Sequence, residues 1–222
     1  MPSDLRTRAV VLRRTNYGES DRILTLLTPE GKLSVLAKGV RKEKSRLAGG
    51  IELFSESDVV IHQGRSSLGI LTGAKMLRFF GNLLSDLSRL ELASSFMKKL
   101  DRASEQITSP DHYDLLIQSL DGLNRSLSTS VVSTWFILNL ARINGETINL
   151  FRDTAGNDLS PDQTYLWDPL ENALHPDPNG PISAREIKLA RFLLSNPLSR
   201  TTKIENLLDL IPPILDLAQK IE

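Results

Sequence analysis

An α+β, multi-domain fold is what this chain predicts: a five-stranded antiparallel β-barrel over residues 1–78, then an all-α helical domain over residues 79–222. Three observations carry the prediction. The hydrophobic period changes from strand-like to helical near residue 78. Turn signals cut the first part into five short apolar runs, leaving no room for a crossover helix. The charge also divides at that point. The whole chain has 27 Lys/Arg and 27 Asp/Glu, yet residues 1–78 hold 14 basic against 8 acidic residues, a balance of +6, and the remainder carries −6. Such a split suits two modules, of which the basic one fits an anionic partner.

The strands follow in order. Arg8 to Arg14 (RAVVLRR) forms the first and ends at Asn16-Tyr17-Gly18. Asp21 to Thr28 forms the second, and Thr28-Pro29-Glu30-Gly31 has the proline and glycine spacing of a type I turn. Lys32 to Val40 then closes a hairpin, Ile51 to Gln63 gives the fourth strand, and Leu68 to Leu77 the fifth. Among small barrels the OB-fold is a common binder of nucleic acid by one face and its loops, while SH3-like barrels share the strand count.

The stretch Lys32 to Arg46 (KLSVLAKGVRKEKSR) stands out. It begins as a strand, turns at Gly39, and becomes a loop in which Lys32, Lys38, Arg41, Lys42, Lys44 and Arg46 face one acid, Glu43. Cations held at the edge of a rigid sheet suit phosphate binding. A solvated lysine-rich loop is the competing reading. Arg13, Arg14, Arg22 and Arg65 lie on or beside the strands and count only as part of the group. Gly18-Glu19-Ser20-Asp21 reads as a strand-connecting turn.

Beyond Phe79 the pattern is helical. Leu83, Leu84, Leu87, Leu90, Ala93, Phe96, Met97 and Leu100 keep amphipathic spacing. Ser109-Pro110-Asp111 opens a second helix, and Thr129 to Ile143 forms a third, ended by Asn144-Gly145. Trp135 and Phe136, flanked by aliphatic residues, read as core rather than as a platform for bases. Ser183 and Glu186 form a capping box, with Ile182 and Ile187 as a staple. Thr202 and Glu205 repeat that pattern for a last helix, interrupted at Pro212-Pro213. The intervening residues 149–181 are rich in Asp, Asn, Pro and Gly, with Tyr165-Leu166-Trp167 as a short β-like piece.

Composition bounds the chemistry. The chain has no cysteine, and His62, His112 and His175 lack metal-ligand spacing, so neither a disulfide nor a metal centre is expected. No calcium-loop pattern occurs among the acids of residues 149–181. Ser95-Phe96-Met97-Lys98 matches S-x-x-K without its companion motifs, and no phosphate loop or dinucleotide fingerprint is present. No enzyme and no cofactor are expected. Without a signal-peptide core or a membrane-length apolar run, the expected location is cytoplasmic, away from any membrane.

Three pieces in order, YGESDRILTLLTPEGK (Tyr17–Lys32), LAKGVRKEKSR (Leu36–Arg46) and ELFSESDVVIHQGRSSLGILTGAKML (Glu52–Leu77), resemble the N-terminal domain of the RecO family of bacterial recombination mediators. The resemblance implies an OB-fold that binds single- and double-stranded DNA without reading bases. Carried over residue by residue, its DNA contacts fall on Lys38, Arg41, Lys42, Lys44 and Arg46. It further implies strand annealing, partnership with RecR, and help in loading RecA onto DNA coated by single-strand-binding protein. Many relatives carry a four-cysteine zinc site at the position of residues 149–181. Here that site is degenerate, with Asp153 near the place of the first cysteine. The alternative from another class is a non-enzymatic helical interaction scaffold whose barrel binds protein rather than DNA. A hydrolase would require clustered ionisable groups in one cleft.

Overall fold

The computed structural model describes residues 3–64, 67–103, 110–146 and 149–221. The chain divides into two compact units, residues 1–124 and 125–222. The last barrel strand ends at Phe79, one residue past the expected break, and two helices beyond it belong to the first unit.

In that unit five strands, β1 (Ser3–Tyr17), β2 (Asp21–Thr28), β3 (Gly31–Ala37), β4 (Ser55–Gln63) and β5 (Gly69–Phe79), close a barrel in the order β1-β2-β3-β5-β4. β1 is long enough to serve both neighbours. Its first half pairs with β4 and its second with β2, with an irregularity between Val11 and Arg13 where the strand bends. The all-antiparallel expectation needs one correction, because β3 and β5 are parallel, Val35 opposite Gly69 and Leu36 opposite Ile70. Direction alternates between antiparallel neighbours, so a closed ring with an odd number of strands must contain a parallel pair.

Alternate residues fill the barrel: Ala9 and Val11, Leu24 and Leu26, Val35 and Ala37, Val59 and Ile61, and Leu71. Val10, Leu12 and Leu27 point to the opposite face yet are also buried. The helices α1 (Leu87–Ala103), against β1, and α2 (Pro110–Asn124), against β2 and β3, cover them. α1 begins later than the apolar pattern suggests. A 3₁₀ turn over Gly81–Ser85 places Leu83 in the core, and the Asp86 carboxylate then caps the helix by accepting the Arg89 N–H at 3.2 Å. Ser109 lies outside the described residues, but Pro110 begins α2 and Asp111 is the acid in its first turn, as expected.

One buried carboxylate ties α2 to the barrel. Glu56 on β4, 4% exposed, accepts the Tyr113 hydroxyl of α2 at 2.6 Å on Oε1. Its Oε2 accepts two N–H groups of Arg78 on β5, at 2.7 and 3.1 Å. Arg78 also reaches Asp121 of α2 at 3.4 Å, and Arg8 on β1 stands 3.6 Å from Glu56 Oε1. Burial pushes the Glu56 pKa up, but the bonds from Tyr113 and Arg78 and the charges of Arg78 and Arg8 outweigh it, and the group titrates below its ordinary 4.5. Burial, and then the Glu56 carboxylate itself, drive the Tyr113 phenol strongly upward.

The second unit is built on α3 (Thr129–Ile143), whose expected limits match those observed. Trp135 and Phe136 are core residues, and the Trp135 indole N–H donates to the Asn196 carbonyl at 3.0 Å. The strands β6 (Asn149–Asp153), β7 (Tyr165–Asp168) and β8 (Ala173–Pro176) form a small sheet in the order β6-β8-β7. The helical part therefore carries a β lobe, of which only the β7 piece is legible in sequence. α4 (Ala184–Ser195) opens with the expected Ser183/Glu186 capping box.

The end of the chain departs from expectation twice. Thr202 and Glu205 form no cap. Leu198–Lys203 is a 3₁₀ turn, and α5 (Leu207–Gln219) starts after Asn206, whose φ is 55°. Pro212 and Pro213 sit inside α5, which runs through them without the expected interruption. The missing N–H groups leave the Leu208 and Asp209 carbonyls without helical partners. Both residues are exposed to water, while Ile211, Ile214, Leu217 and Ala218 anchor the helix by its buried face.

Tyr113→Phe removes a hydrogen bond to a buried charge and is expected to cost about 1.5–3 kcal/mol in denaturant unfolding. Because the folded Glu56 pKa is depressed, its contribution is fully present above 4.5 and is lost as pH falls through the folded value. Melting temperature measured from pH 6 to pH 3 should therefore fall more steeply in wild type than in Glu56→Gln.

Candidate nucleic-acid interface

β3 ends at Ala37, and the chain reverses at Gly39, whose φ of +62° favours glycine. Val40 drops back into the barrel core, and Arg41 to Lys44 then lie exposed. The segment returns through Leu47 and Ala48, packed against the core, to Gly50. A side chain at Gly50 would meet the Ala74 backbone at 2.6 Å, so both ends of the loop are fixed.

The loop is also fastened to the β1–β2 turn. Asp21 Oδ1 accepts the Gly39 N–H at 2.7 Å, and the Arg41 N–H donates to the Ser20 carbonyl at 2.9 Å. The Arg41 guanidinium reaches the Gly18 carbonyl at 3.3 Å. Within the loop, the Lys42 N–H donates to Gly39 and the Ser45 N–H to Lys42. Gly18 to Asp21 is thus the expected turn, and it has a second role that sequence reasoning missed. Nothing local marks Asp21 as the partner of an amide 18 residues away.

Lys38, Arg41, Lys42, Lys44 and Arg46 are all exposed, and none pairs with a carboxylate among the described residues. The other basic residues differ. Arg13 meets Asp101 at 3.0 Å and Arg14 meets Glu52 at 3.0 Å, so both charges already have partners. Lys32 also binds Asp101, at 3.1 Å. Arg22 donates to the Asn16 side-chain oxygen at 3.2 Å and keeps its net charge. Arg65 lies outside the described residues. The structure therefore brings together five uncompensated cations on one pinned loop, with Arg22 on the strand beside the turn.

The lobe of residues 149–181 does not fit zinc. The Asp153 carboxylate is occupied by the backbone N–H groups of Ala155 and Asn157, at 2.9 and 2.8 Å, and by the Asn157 amide at 3.2 Å. Thr154 and His175 bond to each other at 3.1 Å. Among the described residues no three potential ligands come together. Burial acts to raise the Asp153 pKa, but the donors from Asn157, Ala155 and Gly156 prevail and hold it below the usual value. A hydrogen-bonded Asx turn thus closes the chain here without a metal.

Two outcomes follow from these contacts. Asp21→Ala should release the loop, speeding tryptic cleavage after Arg41 to Arg46 several-fold in a timed digest while the circular dichroism spectrum stays native. Asp153→Ala should lower the melting temperature of the second unit, whereas a chelator should leave the wild-type melting curve unchanged.

The comparisons with known proteins agree with this architecture. The family described as "Recombination protein O N terminal" matches residues 1–80, and "Recombination protein O C terminal" matches residues 84–210. The "DNA repair protein RecO" of Roseiflexus sp. (strain RS-1) is 34% identical over 201 residues, covering 87% of this chain and 71% of that protein. The protein of the same name from Dehalococcoides mccartyi (strain ATCC BAA-2266 / KCTC 15142 / 195) is 28% identical over 226 residues, covering 92% and 83%. That of Heliobacterium modesticaldum is 43% identical over 113 residues, half of this chain and 41% of its own length. With both parts of the chain matched in order, this protein belongs to the RecO family of DNA repair and recombination proteins.

Proposed function

We propose that this protein binds DNA, single- or double-stranded, through its phosphates and without reading sequence, and that it acts as a non-enzymatic mediator of repair. The observation that carries the reading is the set of five exposed cations on the pinned loop, none with a carboxylate partner among the described residues. Each cation that meets a phosphate releases a condensed counterion, so affinity comes from that release and falls as salt rises, without base contacts. A surface that neutralises two strands together lowers their repulsion, which is a physical route to annealing. RecR, single-strand-binding protein and, indirectly, RecA are the partners this reading carries over from the family. Among the described residues no helix is long and apolar enough to cross a membrane.

Fluorescence anisotropy with a labelled 30-mer single strand tests it. Wild type should bind at low salt and weaken along a linear log–log salt plot. The triple variant Arg41→Ala/Lys42→Ala/Lys44→Ala should bind more weakly, with a slope shallower by up to about 2. Absence of wild-type binding at low salt would remove the reading and favour a barrel that binds protein.

A further inference from the structure

Resting on the DNA-binding reading, we infer that Tyr17 is a base-stacking residue and that the site therefore prefers an unpaired strand over a duplex. Tyr17 ends β1, and its last ladder partner is Asp21. Antiparallel partners project to the same face of a sheet. Asp21 is the residue whose carboxylate holds the basic loop by the Gly39 N–H, so Tyr17 shares a face with the root of that loop. The next residue, Gly18, gives its carbonyl to the Arg41 guanidinium.

Tyr17 is 55% exposed, and among the described residues its hydroxyl has no hydrogen-bond partner and its ring no cation contact. Phe79 is the other strongly exposed aromatic of the barrel, at 45%, but it stands at the end of β5 and not beside uncompensated cations. An aromatic ring left in water beside flexible positive charges matches what an unpaired strand presents: a base face next to a phosphate. Arg13 and Thr15 share the outer face of β1 with Tyr17, both exposed, so a strand has a polar path onward from the ring. A duplex offers phosphates to the loop but no free base face, because its bases are stacked on one another.

The test uses the full chain, with a single-stranded oligo-dT and a duplex of equal length, at two salt concentrations. Tyr17→Ala should weaken single-strand binding about 5- to 100-fold with an unchanged salt slope, and leave duplex binding within about twofold. Tyr17→Phe and Tyr17→Trp should retain single-strand affinity, which separates stacking from any loss of fold. Wild type that binds while Tyr17→Ala binds the single strand equally well would overturn the stacking role alone. Equal losses on both substrates would overturn it too, marking Tyr17 as a support for the loop. Wild type that binds neither substrate would overturn the DNA-binding reading beneath it.

Discussion

Glu56 is a charge that the barrel cannot bury alone. A carboxylate at 4% exposure needs its lone pairs filled, and the structure fills them from two neighbouring strands and a helix. Arg8 comes from β1, Arg78 from β5, and Tyr113 from α2. Tyr113 and Asp121 tie α2 to this cluster, so its polar contacts mark the side of the barrel that the helix covers. Hydrophobic burial supplies most of the attraction but little direction, since Leu115, Leu116, Leu120 and Leu123 would pack against many apolar surfaces. The Arg78 guanidinium over the Phe80 ring, at 4.9 Å, adds a further contact at the strand end.

Once the helices are fixed, the basic residues divide into two groups. Asp101, near the end of α1, takes Arg13 and Lys32. Lys32 lies near the start of β3 and Lys38 just past its end, about 20 Å away at strand rise. Charge near the helices is therefore compensated, and charge at the far end of the same strand is not. The β1–β2 turn then holds the free group in place through Asp21 and Ser20. Cations on a tethered loop lose less freedom on meeting a phosphate backbone than cations on a free one.

Much of the fold was legible because the patterns are local. Five strands follow from alternation and turn residues, and α3 from a run of fifteen helical residues ended by Asn144-Gly145. Ring parity alone requires a parallel pair in a closed five-stranded barrel, while the strand order makes it β3–β5. The cap at Asp86 was missed because the apolar period continues through Leu83 and Leu84, although the chain there is a 3₁₀ turn. Pro212 and Pro213 misled because propensity argues against an interior proline, while burial of Ile211 and Ile214 overrides it. At the candidate site the loop cations could be read from spacing. Their anchoring by Asp21, and the pairing of Arg13 and Arg14 elsewhere, depend on contacts between distant residues that no single-sequence pattern encodes.

Net charge is the wrong quantity by which to judge such a site. The chain sums to zero, and even the balance of +6 over the first 78 residues includes cations already facing carboxylates. At physiological salt the screening length is about 8 Å, so a phosphate responds to the few charges within that reach and hardly to the total. Lys38, Arg41, Lys42, Lys44 and Arg46 fall within nine consecutive residues with Glu43 as their one acidic neighbour. Their field is local, positive and open to solvent. The structure thus concentrates at one loop what the composition hides: the positive field arises where, among the described residues, carboxylate partners are missing, rather than from how many basic residues the chain contains.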